Sequence, residues 1–157
     1  MLNTSNALPK TIAAVRMATS VFFLLFGQYK IFNPGFAHGG FQEYLQGFIQ
    51  NGAVSVYQPV LSDLVLPHAV FFAYVIGGLE LIIGICLLLG FRVRPVSIVG
   101  VLYMLNLALV TWWSPGHGAP VWRYFGAELD HFPLLLLFII FFVADAGKTW
   151  GLDGRSV

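Results

Sequence analysis

The sequence predicts an all-α fold, a four-helix transmembrane bundle in a single domain, and three observations lead to this prediction. Of the 157 residues, 58% are hydrophobic and only 10% are charged, whereas soluble domains carry about 25% charged residues. The mean hydropathy is +0.81. Four apolar runs come close to or exceed the roughly 20 residues that a helix needs to cross a bilayer. We therefore expect an integral membrane protein with the lipid bilayer as its main environment.

The four predicted spans are bounded by helix-start and helix-end residues. We place them at residues 11–32, 67–90, 95–113 and 131–147. Pro67 and Pro95 suit the first turn of a helix, where a missing N–H leaves no hydrogen bond unmade. Gly90 and Gly147 suit the position just beyond a helix end. The fourth apolar run is the shortest, so that span is expected either to tilt little or to begin earlier, near Glu128.

The distribution of basic residues predicts the orientation, since cytoplasmic loops are enriched in lysine and arginine. If both termini are cytoplasmic, six basic residues lie at that side and two at the other. The cytoplasmic set is Lys10, Arg16, Arg92, Arg94, Lys148 and Arg155, and the outer set is Lys30 and Arg123. We therefore expect a protein of the plasma (inner) membrane with both termini in the cytoplasm.

The first outer segment, residues 33–66, contains a second kind of helix. Apolar residues recur there at helical spacing, with polar residues on the opposite face. The apolar set is Phe41, Tyr44, Leu45, Phe48 and Ile49, and the polar set is Gln42, Glu43, Gln46 and Gln50. This pattern predicts an amphipathic helix in the outer membrane interface, with docking on partner helices as the alternative.

Glu80 is the main candidate for a functional residue, because it is a lone carboxylate within an apolar run that extends from His68 to Phe91. An acidic side chain at this depth costs about 2.5–3.5 kcal/mol on insertion scales and faces the bundle interior or a water-filled cavity. Gly77 and Gly84 lie on the same helical face and would let another helix approach closely. Arg16 is the most plausible partner on the first helix. The two residues form either a structural ion pair or part of a proton or quinone site.

Two further polar residues lie at membrane depth and are candidates for contacts with a cofactor. Lys30, at the end of the first predicted helix, either extends to the outer headgroups or faces an outer cavity and holds an anion. Asn106, in the third predicted helix, is either a hydrogen-bonding contact between helices or a ligand-binding residue.

Other residues define which chemistries we expect. The four histidines and several acids fall on the outer side without metal-ligand spacing, so no metal site is predicted. Asp130 next to His131 is a candidate proton acceptor for quinol oxidation, or a simple helix start. The single cysteine, Cys86, excludes an internal disulfide and a CxxC motif. The net charge of +1 and the lack of a basic run exclude nucleic acid as a partner.

Three segments together carry a family resemblance. They are Arg16 with Phe22, Phe23, Gly27 and Lys30; GGLELIIGICLLLGFRVRP at residues 77–95; and DAGKTWGLDG at residues 145–154. In this order they resemble the DoxX/DoxD-like family of small four-helix membrane proteins. The resemblance implies that Arg16, Lys30 and Glu80 are the polar positions of the family pattern. It also implies a link to redox chemistry, since relatives include the DoxD-type subunit of thiosulfate:quinone oxidoreductase.

Two hypotheses for function follow. In the first, the chain is a membrane subunit of a quinone-linked oxidoreductase that acts on a reduced sulfur compound such as thiosulfate. It would hold no covalently bound cofactor, and quinone would enter between helices near Glu80 or near Asp130 and His131. In the second, the chain is a non-catalytic accessory subunit that stabilises a larger complex. Its protein partners would be other membrane subunits or further copies of itself. A small transporter is the third and least favoured hypothesis.

Overall fold

The structure, a computed structural model, describes residues 4–112 and 131–155 and confirms the all-α prediction. Within these ranges the chain forms helices joined by turns and contains no β-strand. The helices are α1 (Thr4–Phe32), α2 (Phe41–Asn51), α3 (Gln58–Val60), α4 (Ala69–Leu89), α5 (Val93–Val110) and α6 (His131–Val143). A 3-10 turn at Leu152–Gly154 follows α6 near the end of the described chain.

Among the described residues, three helical stretches are long and apolar enough to cross a membrane: Asn6–Phe32, Gln58–Leu89 and Val93–Val110. The helix α6 is a shorter apolar helix of 13 residues, which ends at Val143 and not at the predicted Gly147. The second stretch begins nine residues before the predicted boundary, because α3, a π-helical turn and a 3-10 turn lead continuously into α4. Gly90 ends α4 in the left-handed conformation (φ +63°), as predicted.

The helices pack most closely in two pairs, α1 with α4 and α5 with α6. Phe138 of α6 is fully buried and lies edge-on to Phe23 of α1, with ring centroids 5.4 Å apart. Edge-to-face contact is a preferred aromatic geometry. The rings therefore join the two helix pairs into one core, which also contains Ile83, Leu87, Tyr103, Met104 and Phe141.

The predicted amphipathic helix is present as α2. Its residues Phe41 and Leu45 are buried in a second apolar cluster that includes Ala69 and Ala73 of α4. Tyr44 was assigned to the same apolar face, but it is 61% exposed. Since α2 packs on α4 and on the π-helical turn before α2, its apolar face covers one end of the bundle.

Candidate functional site

Close helix packing sets the register between α1 and α4. A Cβ atom added to Gly77 would lie 2.9 Å from Lys30 Cβ, and one added to Gly84 would lie 2.8 Å from Leu24 Cγ. Successive positions on α4 therefore meet earlier positions on α1, so the two helices are antiparallel. This register brings Glu80, one turn after Gly77, next to the end of α1 that carries Lys30.

The central feature of the site is the carboxylate of Glu80, which is 4% exposed. Its Oε1 atom forms an ion pair with Lys30 Nζ and accepts a hydrogen bond of 2.6 Å from Tyr103 Oη. The Oε2 atom is buried and has no hydrogen-bond partner. The cluster Lys30–Glu80–Tyr103 thus connects α1, α4 and α5 and leaves one carboxylate oxygen unused.

The structure corrects two predictions about this cluster. Arg16 is not the partner of Glu80, because Arg16 and Lys30 are 14 residues apart on α1, or about 21 Å of helix rise. Lys30 does not extend to the headgroups, since its ammonium group binds Glu80 and its side chain is 20% exposed. The anion that Lys30 holds is therefore supplied by the chain itself.

Sequence reasoning missed Tyr103. Tyr103 lies within the third predicted span, and its hydroxyl requires a partner when it is buried. The available signal was its position, seven residues before the end of α5 and away from the membrane interface where tyrosines are enriched.

The close contact at Gly77 gives a testable prediction. A Gly77→Ala substitution should destabilise the protein by about 1–3 kcal/mol, the usual range for overpacking, because the new methyl group meets Lys30 and Ile31. Gly78→Ala is the matched control, since its Cβ would meet nothing within 4 Å. Thermal unfolding in detergent measures both variants. Equal stability of the two would contradict the register.

Arg16 lies in a second buried cluster, near the middle of α1 (Thr4–Phe32) and level with the turn between α4 and α5. Its side chain is 0% exposed. The guanidinium donates hydrogen bonds to the backbone carbonyls of Leu87, Thr149 and Trp150, the last two at 3.4 and 3.3 Å. This buried cation is thus stabilised by carbonyl dipoles, although its Nε atom has no hydrogen-bond partner, and it joins α1 to α4 and to the segment after α6.

Asp153 holds the same segment in place. Sequence reasoning did not identify it as an individual residue of importance. Its carboxylate accepts hydrogen bonds from the N–H groups of Arg92 (2.7 Å) and Val93 (2.9 Å), at the start of α5. Its own N–H donates to Gly90 O at 2.9 Å. A carboxylate at a helix N-terminus satisfies free N–H groups and the helix dipole. Residues 145–154, noted for their resemblance, therefore form a cap on the α4–α5 turn.

Other predicted site residues lie apart from the Glu80 cluster. Asn106 accepts a hydrogen bond from Tyr57 Oη, so it ties α5 to the segment between α2 and α3. His131 begins α6, with Nδ1 3.4 Å from Thr111 Oγ1. Asp130 lies outside the described residues. Within the described part of the chain, no group of three histidine, cysteine or acidic residues is placed to hold a metal ion.

The arrangement around Glu80 can bind a polar group at membrane depth. Oε2 can accept one hydrogen bond, and Lys30, the more exposed partner, can donate one. The Lys30 ammonium lies 6.0 Å from the ring centroid of Phe26, which is 55% exposed. An exposed aromatic ring and the ammonium group of the ion pair are therefore neighbours on the α1 side of the cluster.

The sequence profile of the DoxX family matches residues 11–113, a range that contains Arg16, Lys30, Glu80 and Tyr103. The comparisons with curated proteins and with solved structures gave no match. The matched range covers α1 to α5, and hence every side chain of the Glu80 cluster.

Proposed function

The chain belongs to the DoxX family, and from this membership we propose that it is a quinone-binding membrane subunit of a redox system. The observation that carries the proposal is the unused oxygen of Glu80. A buried acceptor without a partner costs about 1–3 kcal/mol or more when charged. A ligand that donates a hydrogen bond to Oε2 removes this penalty.

A quinol head group has the required chemistry. One hydroxyl donates to Glu80 Oε2, and the opposite oxygen or the aromatic ring contacts Lys30 and Phe26 on the lipid side. Thiosulfate or another reduced sulfur compound is the electron donor, and its oxidation reduces quinone, which takes up two electrons and two protons to become this quinol. With a single cysteine and no dinucleotide fingerprint, the chain relies on a partner subunit to deliver the electrons. Protonated Glu80 gives one proton to the quinone oxygen and then accepts the hydrogen bond of the new hydroxyl, while Tyr103 and Lys30 hold its other oxygen; the second proton comes from water.

The Glu80→Gln variant tests the proposal. The amide oxygen keeps its acceptor role toward Tyr103 and Lys30, but the side chain cannot take a proton. In lipid nanodiscs we expect decylubiquinol to bind at least about tenfold more weakly, equivalent to 1.4 kcal/mol. The loss of thermal stability should be smaller than for Lys30→Met, because the charge left unpaired belongs to Lys30, the more exposed partner. Tryptophan fluorescence measures the binding.

Glu43→Gln is the matched control, because Glu43 is an exposed carboxylate on α2. Its affinity for decylubiquinol should equal that of the wild type. If Glu80→Gln also binds decylubiquinol as the wild type does, the site does not serve quinol.

The accessory role is the second candidate. It is favoured by the contacts of Lys30 and Tyr103, because the polar groups of both side chains already bind Glu80. In this case the cluster serves only to join three helices. The double variant Lys30→Met with Glu80→Met would then still co-purify with partner subunits. Loss of quinol binding without loss of those partners favours the first candidate.

A further inference from the structure

A cavity of about 430 Å³ lies at the end of the bundle that contains Arg16. It is lined by Leu88, Leu89, Lys148, Trp150, Gly151, Leu152, Gly154 and Arg155. The membrane-spanning stretch that contains α4 ends at Leu89 and the next begins at Val93. The cavity therefore lies at the level where the apolar spans end, which is where lipid headgroups are found.

The walls of the cavity differ in chemistry. Leu88 and Leu89 are 39% and 48% exposed, and they continue the apolar surface of α4. Trp150 is 60% exposed, and tryptophan is enriched at the membrane interface. Lys148 and Arg155 supply the charge, and no acidic residue lines this cavity. One side therefore suits an acyl chain and the other an anionic headgroup.

Neighbouring carboxylates pair with only part of the positive charge around this cavity. Lys148 also borders an adjoining cavity of about 320 Å³ with Arg92, Arg94, Asp145 and Asp153. Four cations thus face two carboxylates across both cavities. Asp145 pairs with Arg94 and Lys148, and Asp153 is held by backbone N–H groups. The Arg155 side chain forms no ion pair with any described residue.

The backbone that carries these residues is fixed in place. Arg16 binds the carbonyls of Thr149 and Trp150 from inside the bundle. Gly154 packs directly against the carbonyl of Lys148, which brings Lys148 and Arg155 to the same cavity. The backbone that carries the two basic side chains is therefore held by contacts with α1 and within the segment itself.

From these observations we propose that this cavity is a binding site for an anionic phospholipid. The phosphodiester lies between Lys148 and Arg155, Trp150 contacts the glycerol region, and the acyl chains follow Leu88 and Leu89. Basic pockets at the ends of transmembrane helices are suited to such headgroups. The phosphate alone could come from a soluble ester, but the exposed leucines favour the lipid.

Quenching of Trp150 by brominated lipids tests the site in detergent micelles. The Trp150 signal is the difference between the wild type and Trp150→Phe. Half of this signal should be quenched at a lower concentration of brominated phosphatidylglycerol than of brominated phosphatidylcholine. Each basic residue of the cavity should lower the required concentration about fivefold, as expected for one cation near an anionic headgroup. Arg155→Gln and Lys148→Gln should each lower the preference for phosphatidylglycerol about fivefold.

Lys10→Gln is the matched control, because Lys10 is exposed on α1 and does not line the cavity. It should keep the preference. Equal quenching by the two lipids, or an equal effect of Lys10→Gln and Arg155→Gln, would overturn the proposal. Glycerol phosphate should not displace the brominated lipid; displacement would show a site for soluble phosphate esters instead.

Discussion

Lys30→Met should lower the stability of the protein more than any other single substitution at the Glu80 cluster. The change leaves a carboxylate that is 4% exposed without its counter-charge. Removing one member of a buried ion pair costs about 3–5 kcal/mol, because the remaining charge stays desolvated. Thermal unfolding in detergent should show this loss directly.

A second substitution distinguishes the loss of the pair from the loss of lysine packing. The Lys30→Met, Glu80→Met double variant removes both charges and should recover most of the stability, since replacing a buried pair by apolar residues is often neutral. Lys10→Met, an exposed lysine of the same helix, should change stability by less than about 0.5 kcal/mol. A double variant as unstable as Lys30→Met would show that the pair is not the cause.

Arg16→Gln should release the segment after α6. The shorter amide cannot reach the carbonyls of Leu87, Thr149 and Trp150 together, and each hydrogen bond to a charged donor contributes about 1.5–3 kcal/mol. Local opening around residue 149 should become more frequent. Trypsin should then cleave the Lys148–Thr149 bond at least about tenfold faster, as measured by mass spectrometry of the intact chain.

Arg94→Gln is the matched control for this experiment. Arg94 pairs with Asp145 at 3.3 Å, but its side chain is 55% exposed, and such surface pairs contribute little. Its cleavage rate should stay close to that of the wild type. If Arg16→Gln is cleaved no faster than Arg94→Gln, the three carbonyl contacts do not hold the segment.

The helical fold could be predicted from the sequence because its cause is local. Long apolar runs need internally satisfied backbone hydrogen bonds in lipid, and this requirement alone specifies helices such as α4 and α5. The helix α2 was predictable from a second local cause, the helical spacing of apolar residues such as Phe41 and Leu45. The predicted end of the fourth span at Gly147 was wrong, because the chain already turns after Val143 although Ala144 continues the apolar run.

The partners of the charged residues could not be predicted in the same way. Glu80 was correctly expected to face the bundle, because Gly77 and Gly84 mark the packed face of α4. Its pairing with Lys30 depends on the register between α1 and α4, and a shift of about four turns along α1 separates Lys30 from Arg16. No property of either helix alone determines that register.

The contacts of Arg16 have a consequence for the order of events during synthesis. Arg16 is synthesised with α1, but two of its three hydrogen-bond acceptors, the carbonyl groups of Thr149 and Trp150, are synthesised only after α6. A nascent polypeptide interrupted before these residues would carry a poorly compensated guanidinium group into the bilayer, which is costly. Chains that end before Thr149 should therefore be less stable in the bilayer than chains that reach Trp150.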